Sequence, residues 1–130
     1  MIRAIEIFVF VNFLVIGASH FFRPNDWISF FKILRGHGRT GAFANGFLSL
    51  TFGSTIVAFH WVWEGVMPTL VTCVGIAQIV KSMVAFLAPE LALKSMHKPW
   101  AENPLGYRIG GLIFLGLAAC MALQLWSNAV

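Results

Sequence analysis

The sequence predicts an all-α, polytopic membrane protein with four transmembrane helices in one domain, residues 1–130. Of the 130 residues, 58% are hydrophobic and 11% are charged, and the mean hydropathy is +0.80. Soluble domains are about 45–50% apolar and about 25% charged, so this chain has more apolar surface than a fold of its size can bury. The composition excludes an ordinary soluble enzyme, a disulfide-rich secreted module and a disordered tail.

Four stretches have the roughly 20 mostly apolar residues that a membrane span requires. They cover residues 4–22, 41–63, 66–88 and 105–126. Pro24, Pro89 and Pro104 lie just outside these stretches, where a helix can end or begin. The first stretch also has features of a signal peptide, but we interpret it as a helix of the mature fold.

Basic residues mark the loops that we expect in the cytoplasm. Loops 1 and 3 and their flanks hold seven Lys and Arg residues, against Arg3 alone on the opposite side. The positive-inside rule then places loops 1 and 3 in the cytoplasm and both termini outside a bacterial inner membrane. The tryptophans lie at the predicted boundaries, namely Trp27 and Trp100 inside and Trp61, Trp63 and Trp126 outside. The net charge of +4 therefore marks topology, and we expect no nucleic-acid partner.

Loop 1 contains a short amphipathic segment, residues 27–35, that we expect to form an interfacial helix. Asn25 or Asp26 can cap its first turn. The predicted helix lies along the membrane surface, with Lys32 and Arg35 reaching lipid headgroups.

The chain has features of a duplicated helical hairpin. An offset of 65 residues aligns eight identical pairs, including Pro24 with Pro89 and Gly41 with Gly106. So biased a composition gives several such identities by chance, and a non-repetitive bundle stays an equal alternative. A duplication predicts a parallel repeat about an axis along the membrane normal, because both halves begin on the same side.

Small residues recur at a spacing of four along the second and fourth spans. They let helix backbones approach closely, either within the bundle or against another subunit. The candidate interface on the second reading comprises Gly46, Gly53, His60, Trp63, Gly106 and Gly110.

Lys81 lies about seven residues from the cytoplasmic end of its span, roughly 10 Å deep at 1.5 Å per residue. An ammonium group costs at least about 2.5–3.5 kcal/mol at the bilayer centre, and snorkelling lowers that cost. Snorkelling and a functional role are both consistent with this position. Polar residues at similar depth predict a cationic pocket for an anionic headgroup, an anion or a quinone carbonyl. The candidate pocket comprises Ser19, His20, Asn45, Gln78, Lys81, Ser82 and Arg108.

The sequence lacks the residue sets that catalysis requires, namely carboxylate pairs at one depth, a Ser/His/Asp set or a phosphate loop. His20 and His60 lie near opposite faces, about 20–25 Å apart along the normal, so one haem cannot join them. We do not expect either histidine to ligate a haem or pigment. We predict no enzymatic activity, no metal site and no cofactor other than bound lipid.

The pattern His60-x-x-Trp63, followed by Thr72, Gly75, Lys81 and Pro89, resembles a loose group of small, uncharacterised four-helix bacterial membrane proteins. The resemblance implies the four-helix topology and no particular activity. We expect a non-enzymatic accessory or structural subunit of a larger inner-membrane complex, of energy-transducing or photosynthetic type. The alternative is a small homo-oligomeric transporter, channel or lipid-binding protein that uses the cytoplasmic-side cationic pocket. The expected partners are membrane lipids and other subunits or copies of this chain.

Overall fold

The computed structural model describes residues 1–129 as six α-helices and one 3-10 turn. The helices are α1 (Ile2–Phe22), α2 (Pro24–Gly36), α3 (Arg39–Phe59), α4 (Val66–Leu87), α5 (Pro89–Met96) and α6 (Pro104–Ser127), and the turn is Pro99–Glu102. Helices α1, α3, α4 and α6 are long and apolar enough to cross a membrane. The predicted all-α architecture with four candidate spans is therefore confirmed.

The second predicted span is wrong at its end, because α3 stops at Phe59 rather than at residue 63. His60 has extended backbone geometry, with φ −138° and ψ 91°. The Thr72 hydroxyl on α4 donates to the Val62 carbonyl at 2.9 Å, which stabilises a non-helical connection at the point where the helix would continue. Trp61 and Trp63 lie on this connection and are exposed.

The four long helices form two closely packed pairs, α1 with α6 and α3 with α4. Glycines set both contacts. A Cβ atom on Gly111 would lie 2.7 Å from the Gly17 carbonyl oxygen, and one on Gly53 would lie 2.7 Å from that of Gly75. Since no side chain fits at these distances, glycine permits the backbone approach that holds apolar helices together in lipid.

The two ends of the bundle differ. The terminal end holds both ends of the described chain and the 60–65 connection, whereas the short-helix end holds α2, α5 and the 3-10 turn. We call the contact between the two helix pairs the seam. A buried core fills the seam towards the terminal end and comprises Ile5, Val9, Phe13, Ile56, Val71, Ala118 and Met121. At the short-helix end a cavity lies in its place.

The element boundaries repeat with the offset of the predicted duplication. Adding 65 carries Pro24, the start of α2, to Pro89, the start of α5, and Arg39, the start of α3, to Pro104, the start of α6. Exchange of the two halves turns the α1/α6 pair into the α4/α3 pair, which is the other close contact. Boundaries and helix pairing therefore both support the repeat interpretation.

Contacts within the pairs repeat as well. A Cβ on Gly46 of α3 would meet the Phe86 ring of α4, at 3.2 Å, and the equivalent Cβ on Gly111 of α6 would meet the Phe21 backbone of α1, at 2.7 Å. Both glycines and both phenylalanines are related by the 65-residue offset. The same two positions thus form the helix contact in each pair.

The predicted interfacial helix exists as α2, but its start differs from the prediction. It begins at Pro24, follows Arg23 and has no side-chain cap, so neither Asn25 nor Asp26 caps it. Proline suits this first position because its fixed φ is helical and its missing N–H would have no helical partner there. Asp26 instead accepts a 2.6 Å ion-paired hydrogen bond from Arg23.

Candidate functional site

A cavity of about 510 Å³ lies between the two helix pairs at the short-helix end. Its volume is within the roughly 300–1,000 Å³ typical of small-molecule sites. The polar wall of the cavity consists of Asn45, Ser49 and Lys81. The aromatic wall consists of His20, Phe31, Trp100, Tyr107 and Phe114.

Helix geometry brings the polar wall together. Asn45 and Ser49 are four residues apart and therefore share one face of α3, while Lys81 lies on the adjacent α4. Ser49 is buried at 5% exposure, whereas Lys81 remains exposed on the cavity. No carboxylate within residues 1–129 forms an ion pair with Lys81. Its ammonium is thus available to an anion.

Hydrogen bonds and ring stacking hold the aromatic wall in place at its α1 side. The His20 ring stacks on Trp27 with centroids 4.1 Å apart, and Trp27 Nε1 donates to Ser19 Oγ at 2.8 Å. His20 Nδ1 lies 2.9 Å from the Ile16 carbonyl oxygen, and because a carbonyl only accepts, Nδ1 carries the proton and donates. The free ring nitrogen, Nε2, is consequently the one left for a ligand.

Tyr107 fixes the opposite part of the aromatic wall. It is 7% exposed, and its hydroxyl donates to the Ala101 carbonyl at 3.0 Å, which ties α6 to the 3-10 turn. Its ring also packs near Phe31 of α2 and His20 of α1, with centroid separations of 6.2 and 5.7 Å. One buried tyrosine therefore joins three elements around the cavity.

The predicted role of Arg35 at lipid headgroups is wrong. Its side chain is only 7% exposed and lies on the cavity, where Nη1 donates to the Met96 carbonyl at 3.1 Å. Its other terminal nitrogen lies 3.4 Å from the exposed carboxylate of Glu102. The guanidinium turns inward because these acceptors satisfy it there, while Lys32 on the same helix stays exposed.

Three of the seven residues in the predicted polar pocket line the cavity, namely His20, Asn45 and Lys81. Ser19 lies behind the aromatic wall as the acceptor for Trp27. Arg108 is exposed and is not part of the lining. The predicted second cation of the site is therefore wrong, and Arg35 takes that place.

The remaining two predicted pocket residues pack inside the α3/α4 pair. Gln78 lies against Gly53, where an added Cβ would be 2.9 Å from the Gln78 Cβ. Ser82 is 1% exposed, and its hydroxyl donates to the Ile79 carbonyl of its own helix at 2.6 Å. That bond satisfies the hydroxyl locally and lets serine pack closely where a polar contact was expected.

The candidate interface is also largely internal. Gly46 and Gly53 contact α4, and His60 is completely buried, so none of the three is available to another subunit. Gly106 and Gly110 line the cavity, and only Trp63, at 50% exposure, lies on an outward surface. The small residues of α3 therefore serve the internal packing that was the alternative reading.

Neither histidine lies in a cluster of potential metal ligands. Within residues 1–129 no group of three or more His, Cys, Asp or Glu side chains could hold a metal ion. His60 Nδ1 lies 3.1 Å from Thr72 Oγ1, and His20 is held by Ile16 and Trp27. The prediction that neither ligates a haem or pigment remains a prediction.

Sequence reasoning missed Ser49, Phe31 and Tyr107 as cavity residues. Ser49 carried a usable signal, since it lies four residues after Asn45 on the same helix. Phe31 and Tyr107 carried none, because an aromatic residue near a membrane boundary is ordinary. Comparison with protein-family models, curated proteins and solved structures gives no match to this chain.

Proposed function

We propose that this protein binds an anionic amphiphile, such as an anionic lipid, in the cavity between its helix pairs. The carrying observation is the opposition of a polar wall with an unpaired Lys81 to an aromatic wall, inside a helical bundle with four candidate membrane spans. A negatively charged head fits beside the ammonium of Lys81, and an apolar body fits against the rings. This develops the lipid-binding alternative raised by the sequence.

The composition of the cavity favours an amphiphile over a small free anion. The volume of about 510 Å³ is much larger than a phosphate or chloride ion requires. Five aromatic rings line one side, and they gain free energy by covering apolar surface rather than by solvating charge. A ligand with both a charged head and an apolar body matches both walls.

The cost of uncompensated polar groups in a membrane supports the same ligand. A buried amine, amide and hydroxyl need partners when water is scarce. Within residues 1–129, the side chains of Asn45, Ser49 and Lys81 make no hydrogen bond to one another. An anionic head would supply acceptors to the ammonium, the amide N–H groups and the hydroxyl together.

The proposal is tested by native mass spectrometry of the delipidated protein with phosphatidylglycerol, phosphatidylcholine or inorganic phosphate. We expect one molecule of phosphatidylglycerol to be retained, and Lys81→Met to weaken its binding at least tenfold, about 1.4 kcal/mol. Loss of one charge-assisted hydrogen bond to an anion is worth about 1.5–3 kcal/mol.

Arg108→Met is the matched control, because Arg108 is a cation near the same end of the bundle but lies outside the cavity. It should retain phosphatidylglycerol at the wild-type level. Equal losses in the two variants would show binding at the outer surface and contradict the proposal. Equal retention of phosphatidylcholine, or preference for inorganic phosphate, would contradict the anionic head and the apolar body respectively.

The basic short-helix end supports a cytoplasmic location of the cavity in a bacterial inner membrane. This part of the proposal rests on Lys32, Arg39, Lys94 and Lys98, which are all exposed there. A cysteine introduced at Lys32 should react with a membrane-impermeant thiol reagent only in inverted vesicles. Reaction in right-side-out cells would reverse the proposed orientation.

A second proposed role, as an accessory subunit of a larger membrane complex, has support from one face of α6. Gly116 has no atom within 4 Å of an added Cβ, and Gly116 and Cys120 are both exposed. A helix of another subunit or of a second copy fits against such a face. Copurification of a partner in mild detergent that Gly116→Leu abolishes would support this role, and an unchanged monomer would contradict it.

A further inference from the structure

At the terminal end of the seam, an acid on one helix pair faces a histidine on the other. Glu6 of α1 is 8% exposed, and His60, at the end of α3, is 0% exposed. Glu6 Oε1 lies 3.5 Å from His60 Nε2. Ile5, Val9, Ile56 and others form the surrounding apolar core, in which an uncompensated charge is costly.

The hydrogen bonds of Thr72 determine which histidine nitrogen carries a proton. The Thr72 hydroxyl has one hydrogen, and its oxygen lies 2.9 Å from the Val62 carbonyl and 3.2 Å from the Pro68 carbonyl. Carbonyls only accept, so the hydroxyl donates to one of them. The same oxygen lies 3.1 Å from His60 Nδ1 and must accept there. His60 Nδ1 therefore carries a hydrogen.

The other nitrogen then faces Glu6. In a neutral ring with hydrogen on Nδ1, Nε2 presents a lone pair, and an ionised Glu6 would oppose it with a second lone pair. Within residues 1–129, Nε2 has no hydrogen-bond partner in the structure, although it is fully buried. A single proton between the two atoms removes this conflict, either as a neutral carboxyl that donates to Nε2 or as a carboxylate beside an imidazolium. Both arrangements have no net charge.

We infer that Glu6 and His60 form a proton-binding site that holds the two helix pairs together at the terminal end. Loss of the proton leaves a carboxylate facing a lone pair, and gain of a second proton leaves an uncompensated cation. Either change weakens the seam. The described groups around the pair are otherwise uncharged: Thr72 of α4 bonds His60, and Gln124 of α6 borders the same small space as Glu6. The inference is independent of the proposed lipid site, which lies at the other end.

The first test follows the protonation of His60 by ¹⁵N NMR of the histidine-labelled protein in micelles. The His60 signals are assigned by single replacement of the other three histidines. Above mildly acidic pH we expect Nδ1 to be protonated and Nε2 to show a shared or bound proton. Glu6→Gln should leave a neutral ring that accepts from the glutamine amide. An unbonded, unprotonated Nε2 throughout, in the wild type, would overturn the inference.

The second test measures opening of the seam. Met121, in the buried core at 2% exposure, is replaced by cysteine after Cys73 and Cys120, which are exposed, are changed to serine. Labelling by a water-soluble maleimide is compared with and without Glu6→Gln at each pH, so that thiol ionisation cancels in the ratio. Glutamine donates a hydrogen bond without a titratable proton, so it keeps the seam closed.

We expect the ratio of labelling rates, glutamate over glutamine, to be near one at mildly acidic pH and to rise at least tenfold at alkaline pH. Glu64→Gln is the matched control, since Glu64 is exposed at the same end. It should leave the ratio unchanged. A ratio that stays constant with pH would overturn the role of the proton in closing the seam, and the NMR result stands even if the cysteine variant does not fold.

Discussion

The two walls of the cavity occupy positions that the repeat makes equivalent or adjacent, yet their chemistry is opposite. The polar wall pairs with apolar or small residues at an offset of 65. The equivalent pairs are Asn45 and Gly110, Ser49 and Phe114, and Lys81 and Ile16. The helices of the two halves begin at matching residues, so the backbone is shared and the side chains are not.

This difference shows where the specificity of the site resides. A cavity with two identical walls would suit a ligand with two identical ends. Here one wall offers Lys81 and the opposite wall offers rings such as Phe114, so a bound amphiphile has one favourable orientation. The repeat supplies the shape of the cavity, and the residues that break the repeat supply its chemistry.

The largest expected effect concerns the shared backbone. Gly111→Leu places a side chain where a Cβ already lies 2.7 Å from the Gly17 carbonyl, so we expect it to separate α1 from α6. Overpacking of this kind costs about 1–3 kcal/mol or more. Thermal unfolding in detergent should show a large drop in Tm for Gly111→Leu and for its equivalent, Gly46→Leu.

Gly116→Leu is the control for that pair, because no atom lies within 4 Å of its added Cβ. It should unfold like the wild type. If Gly46→Leu proves harmless while Gly111→Leu does not, the two contacts are not equivalent and the repeat interpretation is wrong.

An intermediate effect is expected when the cation changes walls. Lys81→Ile combined with Ile16→Lys exchanges the two equivalent residues and keeps the composition. Phosphatidylglycerol binding should fall at least tenfold and stay low, because Ile16 is not part of the cavity lining and Gly110 and Phe114 offer no polar side chain. Recovery of binding in the exchanged variant, measured by native mass spectrometry, would show that the walls are interchangeable.

The smallest effect is expected at Tyr107. Tyr107→Phe removes the hydroxyl that donates to the Ala101 carbonyl, so the free energy of unfolding should fall by about 0.5–1.5 kcal/mol. Trp126→Phe, at a residue with 76% exposure, controls for loss of aromatic surface and should have no effect. If Tyr107→Phe matches this control in chemical denaturation, that bond does not hold the aromatic wall.

The sequence predicted the spans well because a membrane helix is determined locally, by about 20 apolar residues in a row. The end of α3 was missed because a hydroxyl from another helix, that of Thr72, stabilises the connection. A contact between distant residues leaves no local signal.

Depth along a helix was predictable, but direction around it was not. Asn45 and Arg108 were both expected near one end, yet Asn45 faces the cavity and Arg108 faces outward. Spans that are apolar on all sides carry little information about which face turns inward. Glu6 and His60 were likewise both expected near the outer end, and only the fold shows that they meet.

The most direct test of the lipid site is to map where a photoactivatable phosphatidylglycerol attaches. We predict adducts on cavity residues such as Val84 and Phe114, lost in Lys81→Met and retained in Arg108→Met. Adducts confined to the exposed faces of the long helices, at residues such as Leu112 and Leu123, and unchanged by Lys81→Met, would contradict binding in the cavity.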